Sequence, residues 1–344
     1  MNQAGSTISS VGVCASIVER QGARRPSLSF IIPVYNDQAN IARCVRSITA
    51  LHGFGPDDEV IILDNGSTDG THQILHQLGF PFEVIEHLHV SALRNRGARM
   101  AKGDLLAFVD SDVELFPEWL ENSMAALSDP MMVAAGCFPE VPNEATWVQQ
   151  AWDIHQRGRQ PSTPFPIAWL PSMNLIVRRE AFQSIEGFNE NLETAEDVDL
   201  CYRLANHGVI LCNPTMKAIH WGEAKDLATF WKKEVWRGIG NIRGMCSHGF
   251  RLDELPSVGY PLYVLLLVVV CGFGIGVDLW KGRLFMTPPS LAFLVFPAVV
   301  LALNTARRAH CPSLLPSLFV LYLTYGLARA FSVIKSFLPR SKSR

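Results

Sequence analysis

The sequence predicts an α/β fold: a mostly parallel sheet flanked by helices, followed by apolar helices fit for a membrane. Three observations carry that expectation. Short apolar, β-branched runs alternate with segments of helical spacing through the first half of the chain. Acidic and aromatic residues recur just past the ends of those runs, where parallel sheets bind their ligands. Beyond about residue 255, charges thin out and long hydrophobic stretches take over.

Each element follows from its own residues. "LSFIIPVYN" (28–36) is a buried strand, and "DQANIARCVRSITAL" after it sets Ile41, Cys44, Val45, Ile48 and Leu51 at helical spacing. "DEVIILDNGSTDG" repeats the scheme with a strand from Val60 to Leu63 and a loop carrying Asp64; Ser67, Thr68 and Asp69 can cap the helix "THQILHQL". "FEVIEHL" is a third strand, "LRNRGARMA" a short helix and "DLLAFVD" a fourth strand. Pro117 suits the first turn of the helix "PEWLENSMAAL". In the less regular second half, "MNLIVRREAF" is a strand running into a helix, and "AEDVDLCYRLANHG" a helix with acids in its first turn. "VILCNPTMKAIHWGE" reads as a strand ending near His220, and "DLATFWKKEVWRGIGNIR" as a basic, aromatic helix.

The tail holds three hydrophobic stretches, roughly 258–279, 291–303 and 314–327, which predict two or three membrane spans. A buried helical core is the alternative. Basic flanks at Lys281, Arg283, Arg307, Arg308, Lys342 and Arg344 alternate in side and leave the orientation open. The opening "VGVCASIV" is short, with no basic stretch ahead of it, and does not read as a secretory signal. The eight cysteines include no C-x-x-C pair, and Cys44 and Cys201 sit within helical patterns, so a reducing compartment and no structural zinc are expected. A net charge of −2 gives no reason to expect nucleic acid as a partner. The expected organisation is an arm at 1–26, a catalytic domain at 27–255, an anchor at 256–337 and a basic tail at 338–344.

The chemistry concentrates at D-S-D. Asp110 and Asp112 follow a strand end, where like charges repel and desolvation is costly; a divalent cation relieves both. Mg2+ or Mn2+ takes oxygen ligands and is commonly shared between one or two carboxylates and substrate phosphates. A solvated turn capping the next helix is the plainer alternative.

"FIIPVYND", "ILDNGSTDGT", "LRNRGARMAKGDLLAFVDSDVEL", "MNLIVRREAF…IEGFNENL" and "AEDVDLCYRL" occur in that order. Together, over residues 28–245, they resemble the family 2 glycosyltransferases, which have the GT-A fold. The resemblance implies transfer of a sugar from a nucleotide diphosphate sugar, usually with inversion and assisted by a divalent cation. By position, Pro33 and Tyr35 match the loop that faces the base, Asp64 the acid at base or ribose, and Arg94 and Asn95 a segment near the nucleotide. Asp110 and Asp112 match the D-x-D, Asp112 as the firmer metal ligand, although many relatives have an acid where Ser111 stands here. Asp197 matches the catalytic base with Glu196 beside it. His220 falls where relatives reach the metal or pyrophosphate, and Arg237 can brace the leaving diphosphate. The order Trp236-Arg237, after Glu234, departs from the Q-x-x-R-W of processive synthases, so a processive polymerase is not expected.

Plainer roles stand beside these. Tyr35 could pack under a helix, and Asp64 could make an Asx-turn. Thr194-x-x-Asp197 fits a capping box, and Lys232, Lys233 and Arg237 could lie on anionic lipid. "FVDSDVEL" also resembles the nucleophile loop of haloacid-dehalogenase-like phosphatases, which leaves "PVYN" and "LDNGSTDG" unexplained; "IIPVYND" lacks the glycine-rich, arginine-bearing opening of a sugar-nucleotide pyrophosphorylase. A membrane-tethered nucleotide-binding pseudoenzyme is a third reading. The expectation is an inverting, metal-dependent transferase anchored in the membrane through several spans, with its catalytic domain cytoplasmic, as in a bacterial inner membrane. Its partners would be a nucleotide diphosphate sugar, a lipid-linked or glycan acceptor and membrane lipid. Specificity is expected in the segment 139–170.

Overall fold

The computed structural model describes residues 25–158, 161–248 and 255–337. The expected arm lies outside these residues save for its last two, and the basic tail lies outside them entirely. Strands β1 (Leu28–Val34), β2 (Glu59–Asp64), β3 (Phe82–Val84) and β4 (Leu105–Val109) alternate with helices α1 (Ile41–Thr49), α2 (Thr71–Leu78) and α3 (Val90–Met100). They form a parallel half-sheet in the order β3-β2-β1-β4, with Val34 beside Asp64 and Ile31 beside Phe108. All seven residues of β1 are buried, as a strand covered on both faces requires.

After β5 (Val113–Leu115) and α4 (Trp119–Ala126) come β6 (Met132–Gly136), α5 (Trp147–Arg157), β7 (Phe165–Pro166) and β8 (Asn174–Arg178). Helices α6 (Arg179–Ser184) and α7 (Glu196–Leu204) lead to β9 (Val209–Cys212), β10 (Ala218–His220) and α8 (Leu227–His248). The sheet runs on as β8-β6-β9-β7 to eight strands, with β8 antiparallel to both neighbours. The core packs Phe30, Ile32, Phe108, Trp119 and Val177 between sheet and helices.

Several expectations are corrected. Pro117 lies two residues ahead of α4 rather than in its first turn, because Glu118 is the N-cap. The strand expected to run to His220 is two strands: Asn213 Oδ1 accepts hydrogen bonds from the Thr215 amide and hydroxyl, turning the chain. β10 then leaves the main sheet and pairs antiparallel with β5, placing His220 opposite Val113. The segment expected only to hold specificity contains α5, started by a capping box between Thr146 and Gln149.

Three further helices follow, α9 (Leu255–Lys281), α10 (Thr287–Arg308) and α11 (Leu315–Phe337). They carry three stretches long and apolar enough to cross a membrane, of 23, 22 and 25 residues. Half of the third is buried within the protein, against 22% of the first and 28% of the second. A second core explains the difference. It joins Val148 and Trp152 of α5 and Phe230 of α8 to Ala302 of α10 and Leu318, Leu321 and Tyr322 of α11. The expected boundary after residue 255 lies one residue into α9, and this second core joins elements on both sides of it.

Candidate active site

The first group of candidate residues comes from the ends of β1 and β2. Tyr35 stands 60% exposed just past β1, so it does not pack under a helix. Asn36 zips this loop to the next: its amide donates to Ser67 Oγ (2.8 Å) and its Oδ1 accepts from the Thr68 amide (2.7 Å). Asp64 is wholly buried. Its Oδ1 accepts from the amides of Gly66 (2.9 Å) and Ser67 (2.7 Å) and contacts His72 Nε2 at 2.8 Å. The turn role is therefore real, yet Oδ2 of the same carboxylate is buried without a partner.

Arg94, on α3 and 3% exposed, joins two acidic motifs. Its Nη2 donates to Asp110 Oδ1 (2.7 Å) and its Nη1 to Glu196 Oε1 (2.8 Å). Burial works against the guanidinium charge, but the two carboxylates outweigh it and hold its pKa above the usual value. Asn95 does different work. Its side chain donates to the Phe188 carbonyl and Glu190 Oε1 and accepts from the Phe188 amide, pinning the loop ahead of α7 from a 6% exposed position. The structure does not turn that amide toward the acids of the cleft.

Helix α7 opens at Ala195 in the left-handed region (φ 61°), a strained conformation for a residue with a side chain. No capping box forms, and Thr194 Oγ1 is buried without a partner. Asp197 keeps only a local hydrogen bond from the Val198 amide to its Oδ1 (2.8 Å). Burial first and the Glu196 charge second push its pKa up to about 7, against the pull of the Val198 amide and Arg94.

Asp112 faces His220, with Oδ2 3.2 Å from Nε2, and His220 Nδ1 lies 3.3 Å from Glu223 Oε1. Burial disfavours the imidazolium, but the two carboxylates more than compensate and raise its pKa to about 10. For Asp112, burial acts upward and the His220 charge overrides it, leaving the carboxyl below its usual range. A Cβ at Gly222 would run into Asp112 Oδ2, so only glycine lets the chain after β10 close on this carboxylate. Ser111, between the two aspartates, donates to Asp37 Oδ2 (2.7 Å) and so ties D-S-D to the first loop.

Once a cation displaces the His220 proton, this carboxylate and imidazole are a donor pair suited to a hard or borderline divalent cation, and Asp112 keeps 26% of its side chain exposed. The expected trio of Asp110, Asp112 and His220 does not close as a three-ligand cluster among the described residues. The reason is visible: Asp110 Oδ1 is engaged by Arg94.

Arg237 lies on α8 with Nη2 3.6 Å from Glu223 Oε1 and Nη1 2.7 Å from Glu234 Oε1. Lys233 Nζ donates to the Gly222 carbonyl at 2.5 Å. Both cations turn inward, leaving Lys232 exposed, which is not the pattern of a helix resting on lipid. The sequence reading missed Glu223, which "HWGE" offers three residues past the histidine, and Asp37, whose partner Ser111 was seen only as a lost ligand. Glu234 entered that reading only as a departure from Q-x-x-R-W.

A mostly parallel sheet flanked by helices, with D-S-D just past the end of β4, is the GT-A fold. Residues 29–186 match the model of Glycosyl transferase family 2, so this stretch is a family 2 glycosyltransferase domain. It is 28% identical to glycosyltransferase AglE of Haloferax volcanii over 234 residues, covering 63% of this chain and 74% of that protein. It is 29% identical to the pre-mycofactocin glycosyltransferase of Mycobacterium tuberculosis over 275 residues, covering 74% of this chain and 55% of that protein. The chain thus spans about half the length of the latter relative. The mannosyltransferase of Pyrobaculum calidifontis, solved with GDP-Man and Mn2+, shares the fold at a TM-score of 0.60 and 17% identity, covering 91% of this chain and 87% of that one.

Proposed function

We propose that this protein transfers a sugar with inversion from a nucleotide diphosphate sugar to a lipid-linked or glycan acceptor at a membrane. The observation that carries the reading is the Arg94 bridge. It joins Asp110 of D-S-D to Glu196, the neighbour of a carboxyl raised to about pKa 7.

The roles follow from the chemistry. Pro33 and Tyr35 shape a loop whose exposed ring can stack on a base. The unpartnered Asp64 Oδ2 can accept from the base or ribose. Asp110, held by Arg94, faces the ribose side, and Asn95 acts through the loop it pins. Asp112 and His220 would hold Mn2+ or Mg2+, with the donor's phosphate oxygens among the remaining ligands. When bound, the ion neutralises the diphosphate and eases its departure. Arg237 braces the same diphosphate. Asp197 takes the proton of the acceptor hydroxyl as its oxygen attacks the anomeric carbon, and Glu196 holds Arg94 beside it. One displacement from the face opposite the leaving group inverts the anomeric centre.

Helices α9–α11 would anchor the enzyme through several spans, with membrane lipid as neighbour and the catalytic domain on the cytoplasmic side, as in a bacterial inner membrane. A membrane-held active site suits a lipid-linked acceptor. A thermal-shift screen of nucleotide diphosphate sugars with Mn2+ and with EDTA tests the reading. A metal-dependent shift for one donor is expected; no shift for any donor, or hydrolysis of a simple phosphate ester, would overturn it.

A further inference from the structure

We infer that Glu234 and Arg329 are positioning residues through which α11, the third apolar helix, holds Arg237 on the donor's diphosphate. The inference rests on the role proposed above for Arg237.

Glu234 is completely buried on α8. A carboxylate in that position is costly unless it is paired on every side. Its Oε1 meets Arg237 Nη1 at 2.7 Å, and its Oε2 accepts from Arg329 Nε (2.9 Å) and stands 2.8 Å from Nη2. Arg329 is itself 7% exposed, within the later part of a stretch apolar enough to cross a membrane. A charge there is expensive, and where one occurs it faces a partner and marks a working part.

The helices are shaped to let the two charges meet. Gly238, one turn past Glu234, sits where a Cβ would collide with Ser332 Oγ and come within 3.2 Å of Arg329 Cδ. A larger residue would force α8 and α11 apart. The Tyr325 ring lies 5.1 Å from the Arg329 guanidinium and closes one side of the pair.

In the other direction the line of charges reaches the donor site. Arg237 meets Glu223 at 3.6 Å, Glu223 meets His220 at 3.3 Å, and His220 meets Asp112 at 3.2 Å. Arg237 also lies within electrostatic reach of Asp197. Two helices needing only cohesion are held as well by apolar side chains of the same volume. A carboxylate with one oxygen on each arginine instead fixes where Arg237 points.

The test uses the full chain in detergent or nanodiscs with Mn2+, and the probes are UDP and GDP against UMP and GMP. Arg329→Gln is expected to weaken binding of the favoured diphosphate about tenfold while leaving its monophosphate within about twofold. Arg329→Lys, which can still reach Glu234, should retain most of the affinity. The double variant Glu234→Gln with Arg329→Gln strands no buried charge and should show the same selective loss. Arg329→Gln added to Arg237→Gln should cost nothing more, because both act through one group. Equal losses for monophosphate and diphosphate, losses that add, or a folded double variant that binds like wild type would overturn the inference. A wild-type protein that binds no nucleoside diphosphate would instead overturn the functional reading, and the inference with it.

Discussion

Arg94 and Glu196, 102 residues apart in the chain, are joined by a 2.8 Å hydrogen bond, and the second amino group of the same guanidinium holds Asp110 at 2.7 Å. This one side chain ties Asp110 to the acid pair of α7. Arg94→Lys keeps the charge but cannot span two carboxylates in a fork. Transfer is expected to fall by about 10²-fold, as a misplaced reacting pair does, while the melting temperature drops only modestly. Steady-state kinetics alongside a melting curve checks this; near-wild-type turnover would show that the bridge is packing alone.

Burial and the Glu196 charge push the Asp197 pKa up to about 7, and the base role proposed for it needs the deprotonated form. The rate of transfer should therefore rise as pH climbs through the neutral range and level off above it. For stability the sign is opposite: a carboxyl whose folded pKa is raised opposes folding as pH rises from its unfolded value near 3.8 toward 7. Asp197→Asn retains an oxygen for the Val198 amide, so the fold should hold. Turnover should drop by about 10²–10⁴-fold with nucleotide affinity nearly unchanged. Calorimetry and a pH–rate profile on both proteins decide the matter, and a parallel loss of affinity would point to a structural part.

Asp112→Ala removes the carboxylate of the proposed cation pair and leaves His220 facing Glu223 alone. Nucleotide binding in the variant should be equal in Mn2+ and in EDTA. An unchanged manganese requirement in a binding titration would refute the assignment.

Asn95→Ala separates a nucleotide contact from a loop anchor. The side chain makes three hydrogen bonds to the loop at 188–190, and its loss strands the buried Phe188 carbonyl and amide. Destabilisation of about 1–3 kcal/mol is expected in denaturant unfolding, with nucleotide affinity little altered. A large loss of affinity at unchanged stability would return Asn95 to the nucleotide.

Much of the parallel half-sheet was legible because its strands are buried on both faces and read as apolar runs. The strand "LSFIIPV" falls where its run places it and Asp110 follows β4, while Asp64, expected in the loop, is the last residue of β2. β5 was not legible, and β10 was read only as the end of one longer strand. Each has three residues, and their pairing depends on a turn at Asn213 that no periodicity announces. That small sheet is nonetheless what brings His220 to Asp112. The α5 helix did carry a signal, since Thr146-x-x-Gln149 with Val148, Ala151 and Trp152 behind it is a capping box opening an apolar face.

Run lengths, motif order and the late rise in hydrophobicity are local properties, and from them the chain alone determined an α/β transferase domain with apolar helices after it. Which acids share a partner is a matter of long-range placement. Only the tertiary structure turned Asp110 onto Arg94 and away from a three-ligand cluster, committed Asn95 to a loop, and set Arg329 against Glu234. The physical reason is that a charged side chain takes its role from what neutralises it. Here those partners lie between 16 and 102 residues away along the chain.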